Sequence, residues 1–395
     1  MVIKKPLVSS SELGQFLVPD MIRLVLARLN VVEFHIARSI SLDWYLISEL
    51  CIRQNPTPWL ILFPNEHVES INNESCKLYD PSEHKSYTVR DLGFDLPRSR
   101  CLANSGSWFL MLDHRTNFHL LNLFTREKIR LPSIGAIDGW KMSFERTGDS
   151  DFLVTFYYES GNFQTGKCQD INIGSAVLWV DERSKDYFVV WNIDCFFAYY
   201  KKGDTNRAWK VFEPLKNQGC LDMVLKESKL YVLSRSRKVT VFDFSGGGDS
   251  PKKCASFRSP HFDGKQHFNN LAVTLSGEVL IIASNVNYPE MSYFQVYGID
   301  PKSSKWKRID SLGNEALILD VGITVEAKDG VKKNCIYFSN DQVHRYSANR
   351  LCYEASICVY NIQTKMAVQR FQHLAASSSM PSKDARWFFA TYGSK

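Results

Sequence analysis

Asp113 and His114 stand side by side in the chain, and a carboxylate next to an imidazole is the smallest unit that could orient a general base for proton transfer. An Asp-His pair at the end of a strand, however, is more often a turn than a dyad. His119, His261, His267 and His344 lie far apart and fall into no ligand spacing. The chain has no GxGxxG, GxxxxGK[ST], HExxH or GxSxG pattern. Gly246-Gly247-Gly248 runs into Asp249-Ser250-Pro251-Lys252-Lys253, which reads as a hairpin loop and not as the start of a phosphate-cradling helix. None of the ten cysteines forms a CxxC or a Cys/His cluster, so no metal is expected. Strings such as Cys195-Phe196-Phe197 and Cys335-Ile336-Tyr337 suit reduced, buried thiols, which points to an intracellular compartment. The chemistry-bearing residues therefore predict no catalytic residues, no cofactor and no enzyme; the competing reading is a hydrolase using a channel histidine and carboxylates.

The 395 residues are long enough for one large domain and one small one. A hydrophobic share of 44% and a charged share of 23% are ordinary for a globular chain, while 13% aromatic residues favour strands, on whose pleated surfaces large rings pack well. The net charge of +6 is mild. Its basic pairs, Lys201-Lys202, Lys252-Lys253 and Lys332-Lys333, sit in loop-like contexts, so nucleic-acid binding is the lesser reading. No apolar run reaches the length of a membrane span; the densest, Trp59 to Phe63, stops at Pro64. Lys4 and Lys5 precede no apolar secretory segment, which leaves cytoplasm or nucleus as the expected location and organelle targeting open.

From Trp59 onward, short aromatic or β-branched strings alternate with Gly, Pro, Asn, Asp and Ser. Strands are predicted at Trp59 to Phe63, Trp108 to Leu112, Phe152 to Tyr158, Ala176 to Val180, Tyr187 to Trp191, Lys229 to Leu233, Val239 to Phe244, Val279 to Ala283, Tyr293 to Ile299 and Cys335 to Phe338. A loose repeat joins many of them: strand, Asp or Asn turn, basic polar loop, strand. It occurs at Leu78-Tyr79-Asp80, Leu121-Asn122, Val180-Asp181, Phe242-Asp243, Ile299-Asp300 and Tyr360-Asn361. Another unit is expected over Phe196 to Phe212, turning at Lys202-Gly203-Asp204. Six or seven units of uneven length predict a mainly β protein built as a β-propeller, with two packed sheets as the alternative. A closed ring must join its ends, which predicts that Arg386 to Ala390 pairs with Trp59 to Phe63.

The N-terminal segment has a different period. Pro19 suits a first helical position and Asp20 the positive end of a helix. Ile22, Val25, Leu26 and Leu29 recur at the spacing of an amphipathic stripe; Phe34, Ala37 and Ile40 form a second stripe, and Trp44, Leu46 and Ile47 a third. Three short helices with more apolar residues than one small bundle needs predict a surface that docks on a partner.

The order Leu17-Val18-Pro19-Asp20, Ile22-x-x-Val25-Leu26-x-x-Leu29, Val31-x-x-Phe34-x-x-Ala37-Arg38, Ile40-Ser41-x-x-Trp44 resembles an F-box, with Val18 and Ser41 departing from its usual Leu and Cys. Leu60-Ile61-Leu62-Phe63-Pro64, Trp108-Phe109-Leu110-Met111-Leu112, Ile129-Arg130-Leu131-Pro132 and Cys335-Ile336-Tyr337-Phe338 resemble, in the same order, the plant F-box proteins whose C-terminal part is a kelch-like β-propeller domain. The resemblance implies a flexible N-terminus over 1–12, an F-box-like helical domain over 13–52 and a propeller over 53–395. It also implies a non-catalytic substrate receptor of a Skp-cullin-F-box ubiquitin ligase. The helical head would bind the Skp-type adaptor, and through it a cullin, by Leu17, Pro19, Ile22, Val25, Leu26, Leu29 and Trp44, while propeller loops would hold a target protein. An interaction protein working outside a ligase is the alternative.

Overall fold

The computed structural model describes residues 18–392 apart from 52, 55–56, 65–72, 139–141, 149–150, 159, 170, 172, 205, 213–217, 247–250, 259, 261–266, 286–292, 300–304, 329, 340–356, 372–373 and 375–381. The stretch 1–12, Leu17, His261, His344, the Asp300 turn and the side chain of His267 lie outside the described residues.

Three helices come first: α1 (Pro19–Leu26), α2 (Val31–Ala37) and α3 (Leu42–Leu50). The rest is a β-propeller, with each strand predicted from sequence present and shifted by at most two residues at its ends. Among the described residues six blades form the ring. The first combines Ser382–Phe388 with Trp59–Pro64, Cys76–Asp80 and Lys85–Val89. The next four are antiparallel meanders spanning 100–133, 175–212, 220–258 and 267–309, and the sixth spans 315–370. A hairpin of Glu315–Ile318 and Ile323–Glu326 pairs in parallel on both sides, Val273 with Ile323 and Leu317 with Ile336, and so fuses blades five and six into a nine-stranded sheet. Between blades two and three the chain makes a separate three-stranded sheet of Met142–Arg146, Asp151–Tyr157 and Phe163–Gln169. Because Arg100–Ser105 and Ser175–Val180 lie directly beside each other, this sheet stands outside the ring.

The aromatic residues fill the wedges between blades. Between blades two and three Phe118 stacks on Trp191 at 5.4 Å and meets the edge of Trp209 at 5.0 Å, all in one buried cluster. The repeat seen in the sequence is one kind of turn. Asp80, Asn122, Asp181 and Asn361 each accept from the backbone N–H two residues on, at 2.8–3.0 Å. Four residues after each stands a basic side chain in the left-handed region: His84, Arg126, Lys185 and Lys365, with φ of 54°, 60°, 55° and 58°. The acceptor side chain fixes the turn, and a basic residue takes the left-handed position.

The ring closes by pairing Trp59 with Phe388, Leu60 with Trp387 and Ile61 with Arg386, as the aromatic strings at the two ends of the chain predict. Polar groups on the innermost strands pin this seam. Asp320 of the hairpin accepts from Trp387 N at 2.6 Å and from Ser339 Oγ at 3.1 Å, and Arg386 donates to the Cys101 carbonyl at 2.7 Å. Burial pushes the Asp320 carboxyl up to about 6, against those hydrogen bonds and the Arg386 charge, which pull it down. Near the axis Gly322 has φ +72°, and an added Cβ there would come within 2.4 Å of Val224. The adjoining cavity, lined by Asn104, Asp222 and Asp320 among others, holds about 30 Å³, room for about two waters.

Trp387 is fully buried at the seam, whereas Trp179 on blade three is 41% exposed. Trp387→Ala is expected to lower the unfolding free energy by about 3–5 kcal/mol, and Trp179→Ala by less than about 1 kcal/mol, as read by urea denaturation. Equal losses would contradict the assigned role of the seam.

Candidate functional site

In the head α2 and α3 have side-chain N-caps, while α1 opens on a proline. Pro19 opens α1 behind Val18, and Asp20 sits in its first turn. At α2, Asn30 Oδ1 accepts from Glu33 N at 2.9 Å while Glu33 accepts from Asn30 N at 3.1 Å, a capping box. At α3, Ser41 Oγ accepts from Trp44 N at 3.3 Å. The departure from the usual Cys at Ser41 is therefore a helix cap.

One side of the head is sealed against the propeller. Ile22, Leu26, Val31, Phe34, Ala37 and Ile47 form one buried cluster with Trp59, Ile61 and Phe63 of blade one and Phe109 of blade two. Polar and ring contacts reinforce it: Asn30 Nδ2 donates to Glu83 at 3.5 Å, and His35 stacks flat on Phe124 at 4.5 Å. Complete burial, with the nearby Arg38 charge, brings the His35 imidazole down to about 3, so it is neutral at ordinary pH. Arg38 in turn pairs with Glu49 and lies over the Tyr45 ring at 4.9 Å.

This corrects the stripe read from the sequence. Ile22 and Leu26, expected to face a partner, are 1% and 0% exposed and belong to the core. Leu29 and Trp44 are half-buried against the same cluster. Pro19 and Val25 do reach solvent. The open apolar face consists of other residues: Val18, Met21 and Leu24 on α1 beside Val25, Ile36 and Ile40 around the end of α2, and Leu42, Leu46 and Leu50 on α3. Leu24 is 62% and Leu50 69% exposed, and α1 packs directly on α3. Val25, Ile40 and Leu46 belong to the stripes read from sequence, and Leu42, Leu46 and Leu50 recur every fourth residue, so spacing alone does not separate this open face from the one packed on the propeller. A cluster of large exposed apolar side chains is the kind of surface that interaction sites use.

The residues singled out for chemistry are used structurally. Asp113 accepts from Arg115 N at 2.9 Å and Asn117 N at 2.8 Å, and meets His119 Nε2 at 3.4 Å. Burial would raise its carboxyl, but the bonds from His119 and Asn117 prevail and hold it at about 2, an ionised turn acceptor. Among the described residues no three His, Cys, Asp or Glu side chains converge on a point, and the cysteines are free thiols. Of the basic pairs, Lys201 donates to the Phe244 carbonyl at 2.8 Å, Lys202 to the Ser184 carbonyl at 2.8 Å and Lys332 to Gln369 at 3.2 Å. No described helix is long and apolar enough to cross a membrane.

Comparison with known proteins agrees with this architecture. Residues 78–361 match the KIB1-4 beta-propeller family. The chain is 59% identical to the F-box protein KIB4 of Arabidopsis thaliana over 382 residues, covering 95% of each. It is 56% identical to the F-box protein KIB2 of the same plant, covering 96% of this chain and 84% of that one. Against the Arabidopsis F-box/kelch-repeat protein KIB1 the identity is 53%, over 95% of this chain and 92% of the relative.

The seam between head and propeller should respond to acid. A neutral buried His35 has its folded value depressed below the ordinary 6.5, so below pH 6.5 the unfolded chain takes up a proton that the folded chain refuses. The His35 contribution to stability is then expected to fall by about 1.6 kcal/mol between pH 6.5 and 5, while the raised Asp320 carboxyl contributes in the opposite sense over the same range. His35→Phe should remove that part of the slope in urea titrations run across this range; an unchanged slope would show that His35 is not held neutral.

Proposed function

The chain belongs to the plant F-box proteins with a KIB1-4 β-propeller, and from that premise we propose that it is a non-catalytic substrate receptor of a Skp-cullin-F-box ubiquitin ligase. The observation that carries the reading is the division of the head into two apolar sides. One is consumed by the propeller, and the other, led by Leu24 and Leu50, is left to solvent. Such a patch gains by burial on a Skp-type adaptor, each large side chain contributing about 1.5–3 kcal/mol when fully covered. The sealed side makes the head rigid with respect to the ring, so that a target held by the propeller keeps a fixed place relative to the adaptor and the cullin beyond it. The reaction then depends on proximity: the receptor brings a target lysine near an activated ubiquitin carried by other subunits, and its own residues bind and orient. Work in the cytoplasm or nucleus is part of the same proposal.

The test is co-purification with a Skp-type adaptor. Leu24→Asp with Leu50→Asp is expected to reduce adaptor capture by more than about tenfold, since two buried leucines far exceed the 1.4 kcal/mol per decade of affinity, and to leave the unfolding transition in place. Ile22→Asp, by contrast, is expected to lower the unfolding temperature because it puts a charge into the core. Undiminished capture by the double variant, or no capture by the unaltered chain, would refute the assignment.

A further inference from the structure

Blades one and two each join their third and fourth strands by a turn on the side of the propeller that bears the head, over 81–84 and 123–127. Helix α2 reaches both turns. Its N-cap residue, Asn30, donates to Glu83 in the first at 3.5 Å, while His35, near its other end, stacks on Phe124 in the second at 4.5 Å and 8°. Five residues separate the two attachments, about 7.5 Å along a helix rising 1.5 Å per residue. A head tied to one blade alone could swivel about that tie; tied to two neighbouring blades it is fixed in angle. Of the two ties the stack is the interior one: His35 and Phe124 are 3% and 6% exposed, whereas Asn30 and Glu83 meet at the surface.

Phe124 is out of keeping with its place in the turn. Asp80, Asp113, Asn122, Asp181, Asp243 and Asn361 each accept from the backbone N–H two residues on, at 2.7–3.0 Å. In five of these turns the donating residue is Ser82, Arg115, Arg183, Ser245 or Gln363, each polar and exposed, as suits a surface turn. In the turn of Asn122 it is Phe124. The turn itself asks for no aromatic side chain: Asn122 Oδ1 holds it through the backbone N–H groups of Phe124 and Thr125, both at 3.0 Å. Phe109, Met111 and Leu121, in the same buried cluster, stand on blade strands. Phe124 is the turn residue of blade two that stacks on the head, and its side chain serves the head and not the turn.

We propose that Phe124 is a positioning residue for ubiquitin transfer: by holding His35 it sets the angle at which α1 and α3, and the adaptor seated on them, stand to the propeller. The proposal rests on the receptor reading and adds to it the residue that fixes the geometry of transfer. Phe124 touches neither adaptor nor reacting atoms and acts through His35 and α2. Without its phenyl ring the head keeps its open face and its tie to blade one, so it still captures the adaptor. What it loses is a single angle, and with it the fixed place of a lysine on the propeller relative to the activated ubiquitin.

Phe124→Ser introduces the residue that blade one has at the same place in its turn, and Phe124→Tyr keeps an aromatic ring. Spin labels carried on noncanonical residues at Asp43 of α3 and Lys229 of blade four, both exposed, report the distance from head to propeller in the full chain. One narrow distance is expected for the unaltered chain and for Phe124→Tyr, and a broadened distribution for Phe124→Ser. Self-ubiquitination is then followed in a ligase reconstituted with a Skp-type adaptor and a cullin, at equal adaptor capture. Phe124→Ser should slow transfer to the most heavily modified propeller lysine by about tenfold, as loss of orientation does, and Phe124→Tyr should leave it unchanged. If Phe124→Ser abolishes the unfolding transition, Phe124→Leu takes its place with the same expectations. A distance that stays narrow, a broadened one with undiminished transfer, slowed transfer in Phe124→Tyr as well, or no transfer by an unaltered chain that captures the adaptor would each overturn the proposal and leave the receptor reading standing. If the unaltered chain captures no adaptor, the receptor reading falls and the role in transfer with it, while the distances still decide whether Phe124 holds the head.

Discussion

A ring of sheets has no free ends, and everything else in this protein depends on how the two ends of the propeller meet. The pairing of Trp59–Pro64 with Ser382–Phe388 completes blade one, and blade one is also the platform under the helical head. The seam is held by groups that are costly to bury. Asp320 and Arg386 face the interior, and Asp320 stays in place through the Trp387 amide and Ser339. A buried polar group costs a good deal unless it is hydrogen-bonded, and each of these two has a backbone partner at the seam.

Apolar surface is allotted in the same spirit. The wedges between blades absorb most of the rings, as in the Phe118, Trp191 and Trp209 cluster. The head contributes one side to that shared interior and keeps another in water. The three-stranded sheet repeats the pattern, with Met142, Phe152 and Val154 buried between blades two and three and Phe163 69% exposed. Both open surfaces are thus mounted on elements whose opposite sides are locked into the core, which holds them rigid.

Much of the fold could be read from the sequence because strands here are short aromatic or β-branched runs with clear punctuation. Trp108–Leu112, Tyr293–Ile299 and Cys335–Phe338 have the bounds their residue pattern predicts. The Asp and Asn turns were visible too, though not the basic residue that takes the left-handed position four places on, since Arg126 or Lys185 has no intrinsic preference for it. The three-stranded sheet was recognisable only by its middle strand; nothing in Phe152 to Tyr158 says whether it belongs to a blade or stands outside. The head shows a plainer limit. Ile22 and Leu26 share one stripe with Val25, yet Val25 reaches solvent while they are core. Period tells that a face is buried, but not by whom. Only the position of blade one against α1 and α2 separates the residues kept for the core from those left over.

The strand Ser382–Phe388 is the inner strand of blade one, yet in chain order it follows the strands of all the other blades. Until it is made, Trp59–Pro64 lacks a neighbour on its inner side, and the platform beneath the helices is an unfinished sheet. Translation therefore makes the head well before its firm support. A stalled or prematurely terminated product would carry the helices on an open ring. The ring can close only once the strand Ser382–Phe388 has been made.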